Sequence, residues 1–147
     1  EVLALAERYG VEVRYVTEET QTVVGEAALT LYPPVGEGGE NELGLTILCS
    51  AGEFDTLITG DMDSRTERVL VSSYPLPDIE VLLVGHHGSR YSTSEELLET
   101  VTPEVGVVSV GNNSYGHPAR DALLRLTDTG VSVYRTDLQG NIHITVN

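Results

Sequence analysis

The chain has 147 residues, 23 of them Asp or Glu and 8 Lys or Arg, for a formal net charge of −15. That size suits a single domain, residues 1–147, and 40% hydrophobic with 21% charged residues is a globular composition, not a disordered one. One cysteine, Cys49, excludes an intrachain disulfide and a Cys-rich zinc site, and so acidic a surface repels a polyanion, so any nucleic-acid role needs bound cations or a partner. No apolar run approaches the roughly 18 residues of a membrane span. No basic leader with an apolar stretch marks a signal peptide. Beginning on Glu1 and not on Met, the chain reads as a piece of something longer.

Val2, Leu5, Ala6 and Tyr9 fall at helical spacing, and Gly10 is a fitting stop. Val11–Val16 alternates and predicts a strand, as do Thr20–Val24 and Ala27–Tyr32. The stretch Pro33-Pro34-Val35-Gly36-Glu37-Gly38-Gly39-Glu40-Asn41 predicts a surface loop; it lacks the Lys-Ser/Thr and the following helix of a nucleotide loop. Leu43–Cys49 and Thr56–Thr59 predict two strands joined by a turn at Ala51-Gly52. A helix follows over Ser64–Ser72, with Ser64 and Glu67 spaced as a capping box. Ile79–Val84 predicts a strand buried on both faces. Thr93 and Glu96 form a second capping box, before a helix with Leu97, Leu98 and Val101 inward. Val105–Val110 predicts another buried strand, and Pro118 the first residue of a helix that Gly130 closes. Val131–Tyr134 and Ile142–Val146 predict the last two strands, with Gln139-Gly140-Asn141 turning between them. The fold class is α/β: a β-rich N-terminal portion, then β/α units.

Three polar clusters occupy equivalent places, each between a strand end and a helix start. They are Gly60-Asp61-Met62-Asp63, Gly85-His86-His87-Gly88-Ser89, and Gly111-Asn112-Asn113-Ser114-Tyr115-Gly116-His117-Pro118. Ligands gather at the carboxyl ends of strands in sheets connected this way. Carboxylate oxygen with imidazole nitrogen suits zinc, iron or manganese. Each cluster also has a plainer reading. Asp61 is placed to cap the following helix, His86 and His87 to sit in a surface turn, and His117 to cap before Pro118. Asn112-Asn113-Ser114 matches a glycosylation acceptor that is common by chance. Ser89 lacks the elbow of a serine nucleophile. His143 alternates with Ile142 and Ile144 and predicts a solvent-facing strand position.

At these residues the sequence resembles a known family. Leu57-Ile58-Thr59-Gly60-Asp61, Leu83-Val84-Gly85-His86-His87-Gly88-Ser89 and Val108 through Pro118 are similar, in that order, to the metallo-β-lactamase-fold domain of ComEC-type competence proteins. Val133 through Ile142 resembles that family's closing strand pair, and the likeness runs from about Leu43 to Asn147. The resemblance implies an αββα sandwich with two metal ions, zinc or manganese, at one edge. It implies that Asp61 and His117 are metal ligands. It implies that His86, or else His87, is catalytic, touching the scissile phosphate or protonating the leaving group, a role worth on the order of 10² to 10⁴ in rate. It also implies metal-assisted hydrolysis of a phosphodiester, in a bacterial cytoplasmic-membrane protein that imports single-stranded DNA, with this domain outside the membrane.

The superfamily's His-x-His-x-Asp-His string does not occur here, and no histidine precedes His86. The expectation is therefore the C-terminal half of such a domain, inactive alone, with the other ligands supplied upstream and a split sandwich prone to homodimerise. Glu40-Asn41-Glu42-Leu43-Gly44 replaces the family's Asn-rich stretch. The alternatives are a soluble hydrolase of a small phosphoester and a degenerate, non-catalytic binding domain.

Overall fold

The computed structural model describes residues 2–39 and 42–146. Seven strands form one sheet in sequence order: β1 (Thr20–Val24), β2 (Ala27–Tyr32), β3 (Thr46–Ala51), β4 (Phe54–Ile58), β5 (Val81–Leu83), β6 (Val105–Val108) and β7 (Ser132–Arg135). β1 to β4 pair antiparallel; β4 to β7 pair parallel. The parallel strands are linked by α2 (Ser64–Ser73), α3 (Glu95–Val101) and α4 (Arg120–Asp128). Their order never reverses, so right-handed crossovers bring all three helices to one face. Leu48, Leu57, Leu82 and Val108 point to that face and are buried with Leu70, Leu97, Val101 and Leu126. The alternate residues form a second apolar row, Leu31, Ile47, Ile58, Leu83 and Val107, in register on the opposite face.

Several elements differ from the sequence reading. α1 (Val2–Tyr9) forms and stops at Gly10, whose φ is +63°, but Val2 and Tyr9 are 78% and 70% exposed. Among the described residues its amphipathic stripe buries no side chain. Residues 11–16 alternate but make no strand, and five of the six are exposed; a period-2 pattern needs a neighbouring edge and an apolar surface to become a ladder. Residues 142–146 are likewise not a strand. The chain after β7 instead turns into α5 (Thr136–Gln139) and leaves Ile142 beside Val81, Val105 and Tyr134 at one end of the second face. His143 is exposed as expected, though on no strand. Glu40 and Asn41 of the predicted loop lie outside the described residues.

Both capping boxes are displaced by one residue. Asp63 is the N-cap of α2, its Oδ1 accepting from Thr66 N–H at 2.8 Å. Ser94 caps α3, its Oγ accepting from Leu97 N–H. Glu96 pairs instead with Arg68 across the two helices at 2.7 Å. The first residue of α4 is Arg120, not Pro118, with Ala119 at its N-cap, and Pro118 follows a cis peptide bond. The cap hydrogen bond holds the Asp63 carboxyl below its usual range. Its stabilisation is therefore present above the ordinary Asp range and is lost as pH falls through the lowered value. Asp63→Ala should cost about 1 kcal/mol at neutral pH. The loss should shrink in acid, as urea unfolding at two pH values would show.

Candidate functional site

β4, β5 and β6 are adjacent and parallel, so the loops after them open on one edge of the sheet. Backbone bonds stitch these loops together. His86 N–H donates to Gly60 O at 2.9 Å, joining the second loop to the first. Ala119 N–H donates to Gly88 O at 2.8 Å, joining the third to the second. The three predicted clusters therefore form one assembly.

The His86-His87-Gly88 turn is left-handed throughout, with φ of 49°, 55° and 80°. Side chains rarely adopt this conformation, and each of the two histidines carries on the order of 1–2 kcal/mol of local strain. Gly88 has a further reason to be glycine. A Cβ there would lie 2.6 Å from Pro118 Cβ and 3.1 Å from its Cα. The segment after His117 thus packs directly on the histidine turn.

His86 and His117 meet edge to face, with ring centroids 5.6 Å apart. His87 is exposed. Its Nδ1–H donates to Ser109 O at 2.8 Å, since a carbonyl only accepts, and neutral His87 then carries its lone pair on Nε2. It lines a cleft of about 330 Å³ with Gly111, Asn113, Tyr115 and His117. Asp61 is half-buried and takes no part in the α2 cap, which Asp63 supplies. His117 likewise makes no helix cap. Burial and the neighbouring His86 and His87 push the His117 pKa below its usual value, while Asp61 pulls it up. A lowered value means that His117 favours folding when neutral and disfavours it as pH falls through the usual histidine range. Its Nδ1 is buried without a hydrogen-bond partner, a free lone pair or N–H inside the assembly. Ser89 is buried and its Oγ accepts from Tyr91 N–H at 3.3 Å.

Three further residues shape the site; Asn113 and Glu67 had other readings in the sequence, and Arg125 had none. The Asn113 carboxamide makes four bonds: its Nδ2 donates to Gly111 O and His117 O, and its Oδ1 accepts from Tyr115 and His117 N–H. It fixes the His117 loop. Glu67 is fully buried, and its carboxylate accepts from Thr93 and Ser94 N–H at 2.6 and 2.7 Å. Arg125, from α4, donates to the carbonyls of the same loop at Thr93, Ser92 and Arg90. Thr93 Oγ1 in turn accepts from Gly85 N–H at the base of the histidine turn. The sequence signal for Glu67 was a charge three residues before buried Leu70, on the apolar side of α2.

A two-metal centre implied by the family asks for more than these donors supply. Asp61 and His117 offer one carboxylate and one imidazole. Among the described residues no three His, Cys, Asp or Glu side chains converge closely enough to hold an ion. This chain by itself does not fit the metal pair.

No protein-family profile matches the chain. Among solved structures it is similar to CmlA, a diiron beta-hydroxylase from Streptomyces venezuelae, with a TM-score of 0.62, 19% identity and 92% of this chain covered by 35% of that one. A mutant of CmlA beta-hydroxylase matches at a TM-score of 0.59 and 16% identity over 90% of this chain and 34% of that one. These likenesses establish the metallo-β-lactamase class of fold. In sequence the chain is 35% identical over 104 residues to ComE operon protein 3 of Bacillus subtilis, and 41% identical over 92 residues to competence protein ComA of Neisseria gonorrhoeae. It is 35% identical over 106 residues to recombination protein 2 of Haemophilus influenzae. The chain belongs to the ComEC family of competence proteins, with the match covering about 70% of its length. It spans 13% of the length of each of these three relatives.

Proposed function

We propose that residues 1–147 form the C-terminal half of a metallo-β-lactamase-like domain that hydrolyses DNA phosphodiesters during bacterial DNA uptake. The observation that carries this reading is the meeting of His86 and His117, 5.6 Å apart, within the field of Asp61. Asp61 and His117 are the proposed metal ligands. His86 is the proposed catalytic group at the phosphate, and His87 its alternative. The two ions, zinc or manganese, need donors beyond those of this chain, so the chain alone is inactive. The names of the relatives support DNA as the partner. On this reading the rest of the protein spans the bacterial cytoplasmic membrane and holds the domain outside it. Among the described residues no helix is long and apolar enough to cross a membrane.

The test compares manganese-dependent cleavage of single-stranded DNA by the full-length protein with that of the 147-residue chain. The full-length protein should cleave, and Asp61→Asn or His117→Ala should lower its rate at least about 100-fold. The chain alone should give little product. Robust cleavage by the chain alone would remove the shared-site reading.

The shortage of donors favours a second reading, a degenerate domain that binds without catalysis. Full-length protein that binds DNA but neither binds manganese nor cleaves would select it. A small-phosphoester hydrolase is the remaining alternative, selected by turnover of a phosphomonoester with none of DNA. A homodimer through the Leu31–Ile47–Ile58–Leu83–Val107 row is also proposed, and a monomer in sedimentation at micromolar concentration would reject it.

A further inference from the structure

Tyr115 projects from the β6–α4 loop with 83% of its surface exposed. Exposure alone says little, because much of any protein surface is apolar. The backbone that carries this ring, however, is held in place. The Tyr115 main-chain N–H donates to Asn113 Oδ1 at 3.1 Å, inside the turn that also fixes His117. Its plane lies 18° from that of the His117 imidazole, with centroids 6.1 Å apart. It also walls the cleft that contains His87 and His117. A flat, wettable aromatic surface therefore stands directly beside the candidate site.

Charge then narrows the ligand. All eight basic residues are arginine, and none lines the cleft. Proteins that hold nucleic acid by its phosphates do so with Lys and Arg, and their affinity falls steeply with salt. A chain of net charge −15 has little access to that mode. The cleft offers instead an aromatic face, the side-chain amide of Asn112, and two imidazoles. An unpaired nucleobase has a free π-face to lay on such a ring, with little dependence on which base it is. A base inside a duplex has both faces covered by its neighbours.

We propose that Tyr115 is a stacking platform for one unpaired nucleobase next to the candidate site, so that the chain recognises a single strand through a base and not through its phosphates. This rests on the DNA reading above and names the strand form that the site accepts.

The experiment measures binding of two probes to the 147-residue chain in magnesium buffer: a thymidine dinucleotide, and the same sugar-phosphate molecule with both bases removed. The intact dinucleotide should bind about 5- to 150-fold more tightly. Tyr115→Ala should erase that ratio and Tyr115→Phe should keep it. Affinity for the intact probe should change little between low and high salt. The Tyr115 ring is largely exposed, so circular dichroism of both variants should match the parent. Equal affinity for the two probes, or a ratio that survives Tyr115→Ala, overturns the platform and leaves the DNA reading standing. Absence of binding by either probe also overturns the platform, while the DNA reading is decided separately by cleavage with the full-length protein.

Discussion

Glu67→Ala is expected to destabilise the chain by about 3–5 kcal/mol, which for a domain of this size is a fall in Tm of roughly 10–15 °C. The substitution strips two buried N–H groups, of Thr93 and Ser94, of their acceptors. It also leaves Arg125 without the carboxylate beside it. Glu67 and Arg125 both grip the 89–94 loop, one through its N–H groups and the other through its carbonyls. Through Thr93 Oγ1 and Gly85 N–H the loss should propagate to the histidine turn. Shifts of the His86 and His87 ring signals in a folded, weakened variant would show this; unchanged rings would confine Glu67 to a structural role. Burial pushes the Glu67 carboxyl above its usual range, against the pull of its two backbone donors. The folded chain thus holds that proton more tightly than the unfolded one. Its stability relative to Glu67→Gln should decline as pH rises from the usual Glu range through the raised value, and urea unfolding across that window reads the sign.

Gly88→Ala should have the second largest effect. The left-handed backbone costs an alanine about 1–2 kcal/mol, and overpacking against Pro118 adds about 1–3 kcal/mol. The contact is with a ring and its backbone Cα, which cannot swing aside as a flexible side chain would. The cheapest relief is to part the histidine turn from the His117-Pro118 segment, lengthening the 5.6 Å approach of His86 and His117. Gly130→Ala is a useful contrast. Its φ is +84°, but nothing lies within 4 Å of a new Cβ. It should show the conformational cost alone. Thermal unfolding of the two variants would separate strain from collision, and equal losses would mean that the Pro118 contact carries no weight.

The sheet and its site edge were largely legible in the sequence because buried parallel strands write themselves as short apolar runs. Val81–Leu83 and Val105–Val108 sit within the predicted segments, and the Gly-rich clusters follow them as expected. The ends of elements were less legible. Ser64 with Glu67 and Thr93 with Glu96 have capping-box spacing, yet Asp63 and Ser94 hold the caps. Spacing alone does not distinguish neighbouring candidates, and Glu67, a charge on the apolar side of α2, was committed to a tertiary contact whose partners the local pattern does not name. Residues 11–16 and 142–146 alternate like strands but form none, since pairing depends on a partner edge that lies elsewhere in the chain or outside it. In the site, Asp63 taking the cap removes the plain explanation of Asp61. The His87–Ser109 bond and the Asn113 turn join residues across or within loops, which a linear reading cannot pair.

The convergence of the three loops is tested most directly by nuclear Overhauser contacts among the histidine ring protons of the 147-residue chain. Cross-peaks between His86 and His117, with none from either ring to His143, are the expected result. A His117 ring with no contact to His86 and the shifts of a free histidine would contradict the account at its root.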